Sequence, residues 1–512
     1  MTLKPISVVS STRTCQSQGN SSPDSTLLSD HCSMFKSFKM KISRLYITAL
    51  MVAACCTTAC NKEFLELKNP QSLPLTGTIK DLATLTTAAN GAYLHFKDNN
   101  YYSRTFTLVP DLLGDNVFIS RSNGGRFLDH DNFAIVSTDG YTTACWNSMY
   151  RVIGNANLAI AEGEKLDPTA PIQQVIGELY AVRALAYFDL VRFWAQPYNF
   201  TSDASHMGVP IVTEPQTGII SPARATVKEV YERITEDLKK ALTLMNVSKK
   251  NGYMVPAAAQ TLLAKAYLYM GNWELAEQYA TEAINGPFTL LPRASYVASW
   301  ATDYSSESLF EVVNLPTDNA GTNSLGYIYE QSRYGEGLAT QDLYDQYTGT
   351  DVRRSLIIVG VRNATFENPA YFVKKYPRGA STNDDHIKVL RLSDAYLIRA
   401  EARAELGKSD PAKTTLAQQD LTTIVQRADN VAAAITLTGD ALIDRIILER
   451  RKEFAFEGHR LFDLNRRKMD VRHIRSTDET IYTYPNNRFI MPIPFAETKA
   501  NRNMKQNPGW AQ

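Results

Sequence analysis

The sequence predicts a mainly α protein, a tetratricopeptide-like helical-repeat scaffold interrupted by one loop-rich insert. Three observations carry that class. Several long segments repeat apolar residues at the three-to-four-residue spacing of a single helix face. Residues 257–285 place small residues and a glycine where two antiparallel helices need close approach and a turn. Residues 288–388 abandon this periodicity and become rich in Tyr, Ser, Thr, Asn and Gly.

At the N-terminus, Lys39, Lys41 and Arg44 precede the apolar run 45–54. That run is too short to span a bilayer but has the length and positive flank of a signal-peptide core. Export is expected, with 40–59 a lipoprotein signal peptide. Residues 1–39 are then a mis-annotated leader ahead of a start at Met40; a short disordered leader is the alternative. Lipidation requires a thiol just after a small-residue cleavage site. Val52-Ala53-Ala54-Cys55 fits the general pattern, whereas Cys60 gives the longer signal counted from Met40, and Cys60 is taken as the lipidation site. Of the 6 cysteines, only Cys145 lies beyond this region. The body therefore has no disulfide framework or Cys-based zinc site, and its folding rests on packing.

Residues 60–287 read as a helical region. Helices are expected over 78–96 and 142–165, with the aromatic and polar stretch around Asn99, Asn100, Tyr101 and Tyr102 between them. A further helix is expected over 171–193, where Ile172, Val175, Ile176, Leu179, Val182 and Ala186 share one face before Pro197 stops it, and another over 224–245. In 257–285, Leu263, Ala264, Tyr267, Gly271, Ala276 and Ala283 fall at tetratricopeptide positions, with Ala280 departing from the usual bulky aromatic. The loop-rich insert, 288–388, contains short β-like runs at 309–313 and 356–359. A second helix pair is expected over 390–426, with Gly407 at its turn, opening the C-terminal region 389–512.

Residues 449–467 read ERRKEFAFEGHRLFDLNRR. A helical register would align Glu449, Glu453 and Glu457 on one stripe, where like charges repel unless Arg450, Arg460 or Arg466 folds against them. Apolar Ile446, Ile447, Phe454, Phe456, Leu461 and Leu464 are interleaved, which predicts an ion network set against a core rather than the alternative, a solvated face. The order of Glu449, Arg450, Arg451, Glu453, Glu457, Gly458, Arg460, Asp463, Leu464 and Arg466 resembles the C-terminal signature of the SusD/RagB family. The ending, from Phe489 to Pro494 and then Glu497, Asn501 and 506–509, is similar to that family's, as is the segment opening at Cys60. The resemblance implies a surface-exposed, lipid-anchored outer-membrane lipoprotein. It would capture a nutrient, most readily an oligosaccharide ligand, and deliver it to a TonB-dependent outer-membrane transporter (SusC-like). Capture of peptides or another nutrient by the same architecture, or an envelope scaffold role, are the alternatives.

A formal net charge of +1 gives no basis for nucleic-acid binding, and 44% hydrophobic with 21% charged residues is ordinary for a globular body. The 7 histidines show no HExxH or other paired metal spacing, and no nucleophile elbow or phosphate loop is present, so no catalytic residue, metal ligand or cofactor is assigned. Sugar rings stack their C–H faces on aromatic rings while their hydroxyls bond polar side chains. Aromatics in polar loops are therefore the candidate ligand-binding residues: Asn99, Tyr101, Tyr102, Trp300, Tyr304, Tyr329 and Tyr334. For each, a half-buried ring with a wet hydroxyl is the competing reading. The insert, holding most of them on loops, becomes the ligand-binding subdomain.

Overall fold

The periodic segments resolve into a chain of helices, each laid against the next, in a computed structural model that describes residues 77–475 and 478–511. Cys55, Cys60, the signal segment and the leader lie outside the described residues. Helix α1 (Leu82–Leu94) begins at Asp81, whose carboxylate accepts from the Thr84 N–H at 2.9 Å while Thr84 reaches back to the Asp81 N–H. This reciprocal cap satisfies two otherwise orphaned donors. After α2 (Thr105–Leu112), the long helices α3 (Gly140–Gly163) and α4 (Ala170–Trp194) pair, and α5 (Val227–Leu244) packs on α4 behind a second capping box of Thr226 and Glu229.

The expected tetratricopeptide-like unit is α6 (Pro256–Met270) and α7 (Trp273–Ile284). Gly271 ends α6 at φ +73°, a left-handed conformation that favours glycine, and Asn272 caps α7 by accepting from the Leu275 N–H. Ala280 is buried at the non-consensus position, and Tyr279 beside it stacks on Tyr267 with centroids 5.8 Å apart. The second pair is α8 (Leu392–Leu406) and α9 (Pro411–Ala428), followed by α10 (Gly439–Glu453) and α11 (Arg460–Arg466). Gly407 closes α8 with ordinary helical angles; it is small because a Cβ there would run into Thr414. Helix α7 packs directly on α8 although the whole insert separates them in sequence.

The insert contributes short strands. Strand β2 (Ser308–Val312) pairs antiparallel with β6 (Ile387–Arg391), which runs straight into α8. A second sheet has the order β1-β3-β5-β4, built from β1 (Val117–Ile119), β3 (Gly337–Ala339), β4 (Ile357–Gly360) and β5 (Ala370–Val373). Its first strand comes from the N-terminal region, so this sheet stitches the two regions together. A hairpin of β7 (Val471–Arg475) and β8 (Asp478–Tyr482) follows α11. The C-terminal tail fastens to the end of α4, where the Met491 N–H donates to the Phe193 carbonyl at 2.8 Å and Asn507 donates to the Trp194 carbonyl at 2.7 Å.

The ion network is built differently from the single stripe expected. Helix α10 stops at Glu453, and the chain turns through Phe456 (φ 69°) and Gly458 (φ 76°), so Glu457 sits on the turn rather than on the helix. The glutamates are met by cations from elsewhere. Arg353 reaches Glu449 at 2.6 Å and Glu453 at 3.0 Å, and Arg391 reaches Glu453 and Glu457, each at 2.8 Å. Arg427 reaches Glu453 at 2.6 Å, and Lys375 reaches Glu457 at 2.7 Å. All of these groups except Glu457 and Arg427 rank among the buried residues, and the Glu457 and Arg427 side chains are only 3% and 6% exposed. Burial alone would raise the Glu453 carboxyl; Arg427, Arg391 and Arg353 outweigh it and hold the group well below the usual carboxylate range. The signature arginines serve other carboxylates: Arg450 bonds Asp463 and Asp394, Arg460 bonds Asp115, and Arg466 bonds Glu401 and Asp463.

Candidate functional site

Three pieces of chain meet around a cleft of about 550 Å³: the end of α1 with its following turn, the loop before α6, and strand β2 with its flanking loops. Tyr93 lies one turn after buried Ala89 on α1, partly buried at the edge of the core. Its hydroxyl accepts the Met254 N–H at 3.0 Å, and its ring meets Tyr253 edge-on with centroids 5.0 Å apart. The Tyr253 hydroxyl donates to Asn90 at 3.0 Å, and the Lys250 ammonium lies 3.9 Å from the Tyr253 ring centre. These contacts fix the rings before any ligand arrives, which lowers the ordering cost of binding.

The facing wall carries Tyr304, Phe310 and Glu311. Tyr304 has φ +54°, and its N–H donates to Glu311 at 3.1 Å. A side chain on Gly252 would collide with Val313, and Gly252 itself adopts φ +77°, so glycine keeps the loop close to this wall. Burial pushes the Glu311 carboxyl up, but the hydrogen bond with His386 and the nearby Lys388 ammonium bring it down to about 2, leaving it ionised at neutral pH. An ion pair between Lys97 and Asp318 joins the two walls. Leu94 and Leu315 stand 52% and 49% exposed around the cleft, an apolar surface left in water. A smaller recess of about 330 Å³, lined by Asp98, Asn99 and Asn319, shares Leu94, Lys97 and Asp318 with it. Fixed aromatic rings beside carboxylate, amide and ammonium groups can stack an apolar ring face and bond its hydroxyls.

The residues expected from sequence divide. Asn99 lines the recess and Tyr304 the cleft. Tyr101 and Tyr102 do not reach a surface: they stack on each other at 4.5 Å, and both hydroxyls donate to buried Asp189, at 2.7 and 2.5 Å. Trp300 is buried against Tyr296 beneath the Lys375 and Arg391 cations, and Tyr329 is buried parallel to Tyr376. With their faces occupied by protein, these four rings are packing residues and offer nothing to a ligand. Tyr334 is half-buried, with the Arg126 guanidinium 3.7 Å from its ring centre and Tyr327 against its edge, apart from the cleft. Tyr93 and Tyr253 were missed. Tyr253 carried a readable signal, Asn251-Gly252-Tyr253 in a loop, whereas Tyr93 sits inside a helical pattern and gave none. Among the rings on α3 and α4, Trp146 and Tyr187 are buried, and Tyr150 is half-buried and donates to the Pro210 carbonyl.

Sequence separation also concealed a cluster of possible metal ligands. Asp303, Glu311 and His386 bring one ligand atom each to within 4.8 Å of one another.

The scaffold is a tetratricopeptide-like helical-repeat fold that holds a loop-built, aromatic-lined cleft. Residues 63–284 match the family described as starch-binding and associating with the outer membrane, and residues 358–510 match the SusD family. The chain belongs to the SusD family. A crystal structure of a SusD superfamily protein from Bacteroides vulgatus superposes with a TM-score of 0.78 at 30% identity, covering 85% of this chain and 100% of that one. SusD-like protein P2 of Formosa agariphila is 25% identical over 487 residues, 84% of this chain and 93% of its own length. Starch-binding protein SusD of Bacteroides thetaiotaomicron is 32% identical over 139 residues, 26% of this chain and 23% of that protein. Among the described residues, no helix is long and apolar enough to cross a membrane.

Proposed function

We propose that this protein is a lipid-anchored, outward-facing outer-membrane lipoprotein that binds an oligosaccharide without cleaving it and passes it to a TonB-dependent transporter. The cleft carries the reading: Tyr93, Tyr253 and Tyr304 are held ready for ring stacking beside Glu311, Lys97 and Asp318. Family membership and the name of the Bacteroides thetaiotaomicron relative favour a glycan over a peptide. The binding surface then runs from the cleft into the recess at Asn99, while Tyr334 sits outside it. Calorimetry of the purified protein against a panel of neutral oligosaccharides, with product analysis of the same samples, tests binding and the absence of cleavage together. Micromolar binding with intact ligand is expected; cleavage products, or binding unaffected by Tyr253→Ala and Tyr304→Ala together, overturn the reading. Anchoring is assigned to Cys60, so Cys60→Ala releases the protein from the membrane fraction; retention in that variant with release in Cys55→Ala moves the anchor to Cys55.

A further inference from the structure

Behind the Tyr304 wall, the charges do not balance. The carboxylates of Asp303, Glu311, Asp384 and Asp385 face only two permanent cations. Arg378 pairs with Asp303 at 3.0 Å and with Asp384 at 3.6 Å, and its backbone N–H donates to Asp385 at 2.9 Å. Lys388 stands 3.6 Å from Glu311 Oε1 and spends a proton on the Thr302 carbonyl at 3.2 Å. The remaining titratable group is His386, buried between them. Its Nδ1 lies 3.1 Å from Glu311 Oε2 and 3.6 Å from Asp303 Oδ1. Glu311 Oε1 is itself buried without a hydrogen-bond partner.

The two spacings from His386 bracket those of a coordination sphere, and all three ligand atoms lie within 4.8 Å of one another. Imidazole and carboxylate ligands about 2.0–2.1 Å from a tetrahedral ion lie about 3.3–3.4 Å from one another, and such an ion keeps a further position for water. The ligand types are mixed nitrogen and oxygen, which suits zinc and its transition-metal neighbours better than calcium or magnesium. An entry path exists, because the Asp303 side chain is 31% exposed while Glu311 and His386 are enclosed.

We propose that Asp303, Glu311 and His386 form a zinc-class divalent-cation site that clamps the Tyr304 wall. The ion neutralises the excess of carboxylates and ties residue 303, and with it the left-handed Tyr304, to strands β2 and β6. The site shares Glu311 with the cleft wall, so its test uses the ion alone with nothing offered to the cleft.

The test uses Zn²⁺ alone on the purified, chelator-treated full chain, read by equilibrium dialysis and by thermal shift. Wild type should retain one equivalent and melt several degrees higher with zinc. Asp303→Asn, at a partly exposed position that leaves the core intact, should bind at least tenfold more weakly, and His386→Ala should lose the equivalent. Magnesium at the same concentration should not substitute. No zinc retained by wild type, or equal retention by Asp303→Asn, overturns the proposal, and the second outcome decides the matter even if His386→Ala fails to fold.

Discussion

Tyr101 and Tyr304 are both tyrosines in polar stretches of sequence, yet one is a core residue and the other a cleft wall. The difference lies with their partners: Asp189, 88 residues from Tyr101, takes its hydroxyl, while Glu311, only 7 residues away, and distant His386 hold Tyr304 at the surface. The contacts with Asp189 and His386 cannot be read from a local window, which is why aromatic content did not separate the core rings from the cleft rings. The two should separate cleanly by mutation. Tyr304→Ala and Tyr253→Ala should each weaken oligosaccharide binding by about 0.5–1.5 kcal/mol, roughly two- to tenfold in Kd, with the melting temperature little changed. Tyr101→Phe removes one hydrogen bond from a buried carboxylate that keeps Tyr102 and Arg192, so it should cost about 1 kcal/mol of stability and leave affinity alone. Calorimetry and thermal melts on the same three variants check both statements.

Helices were the most legible elements. The α6–α7 pair follows its small residues and Gly271, and the short runs at 309–313 and 356–359 became β2 and β4 within a residue or so. The signature segment was legible in composition and misread in shape. A continuous stripe from Glu449 to Glu457 was broken because the chain adopts left-handed angles at Phe456 and Gly458, and the Glu-Gly pair was the available sign of that stop. The turn is tight against α2: a Cβ on Gly458 would lie 2.9 Å from the Thr107 carbonyl oxygen and 3.0 Å from its Cα. Gly458→Ala therefore combines a left-handed penalty of about 1–2 kcal/mol with a backbone clash. Chemical denaturation should show a loss of at least that size, whereas Gly140→Ala, where nothing lies within 4 Å, should be nearly neutral.

Across the whole molecule, stability is tied to ionised carboxylates. Burial pushes Asp115 and Asp351 upward, but Arg451 and Arg460 around the first, and Arg353 and Lys452 around the second, bring each down to about 2. A folded value below the unfolded one contributes stability that is present above about pH 4 and is lost as the pH falls toward 2. Melting temperature should drop steeply over that window. Arg460→Ala strips Asp115 of its 2.6 Å partner, leaving Arg451 at 3.2 Å, and should cost about 3–5 kcal/mol at neutral pH while flattening the acid limb; an unchanged melting curve would place this ion pair in solvent. The direct packing of α7 on α8 has a different consequence, one of modularity. The intervening segment leaves one helix and returns to a helix packed against it, so its length can vary without parting the two and a relative's segment can be grafted in its place. The graft is constrained by charge rather than by length. Arg353 and Lys375 travel with the segment, while Glu449, Glu453 and Glu457 stay behind with only Arg445, Arg391 and Arg427 against them, so a replacement that brings new recognition loops without equivalent cations would leave the buried glutamates short of positive charge and would lose stability before its specificity could be read.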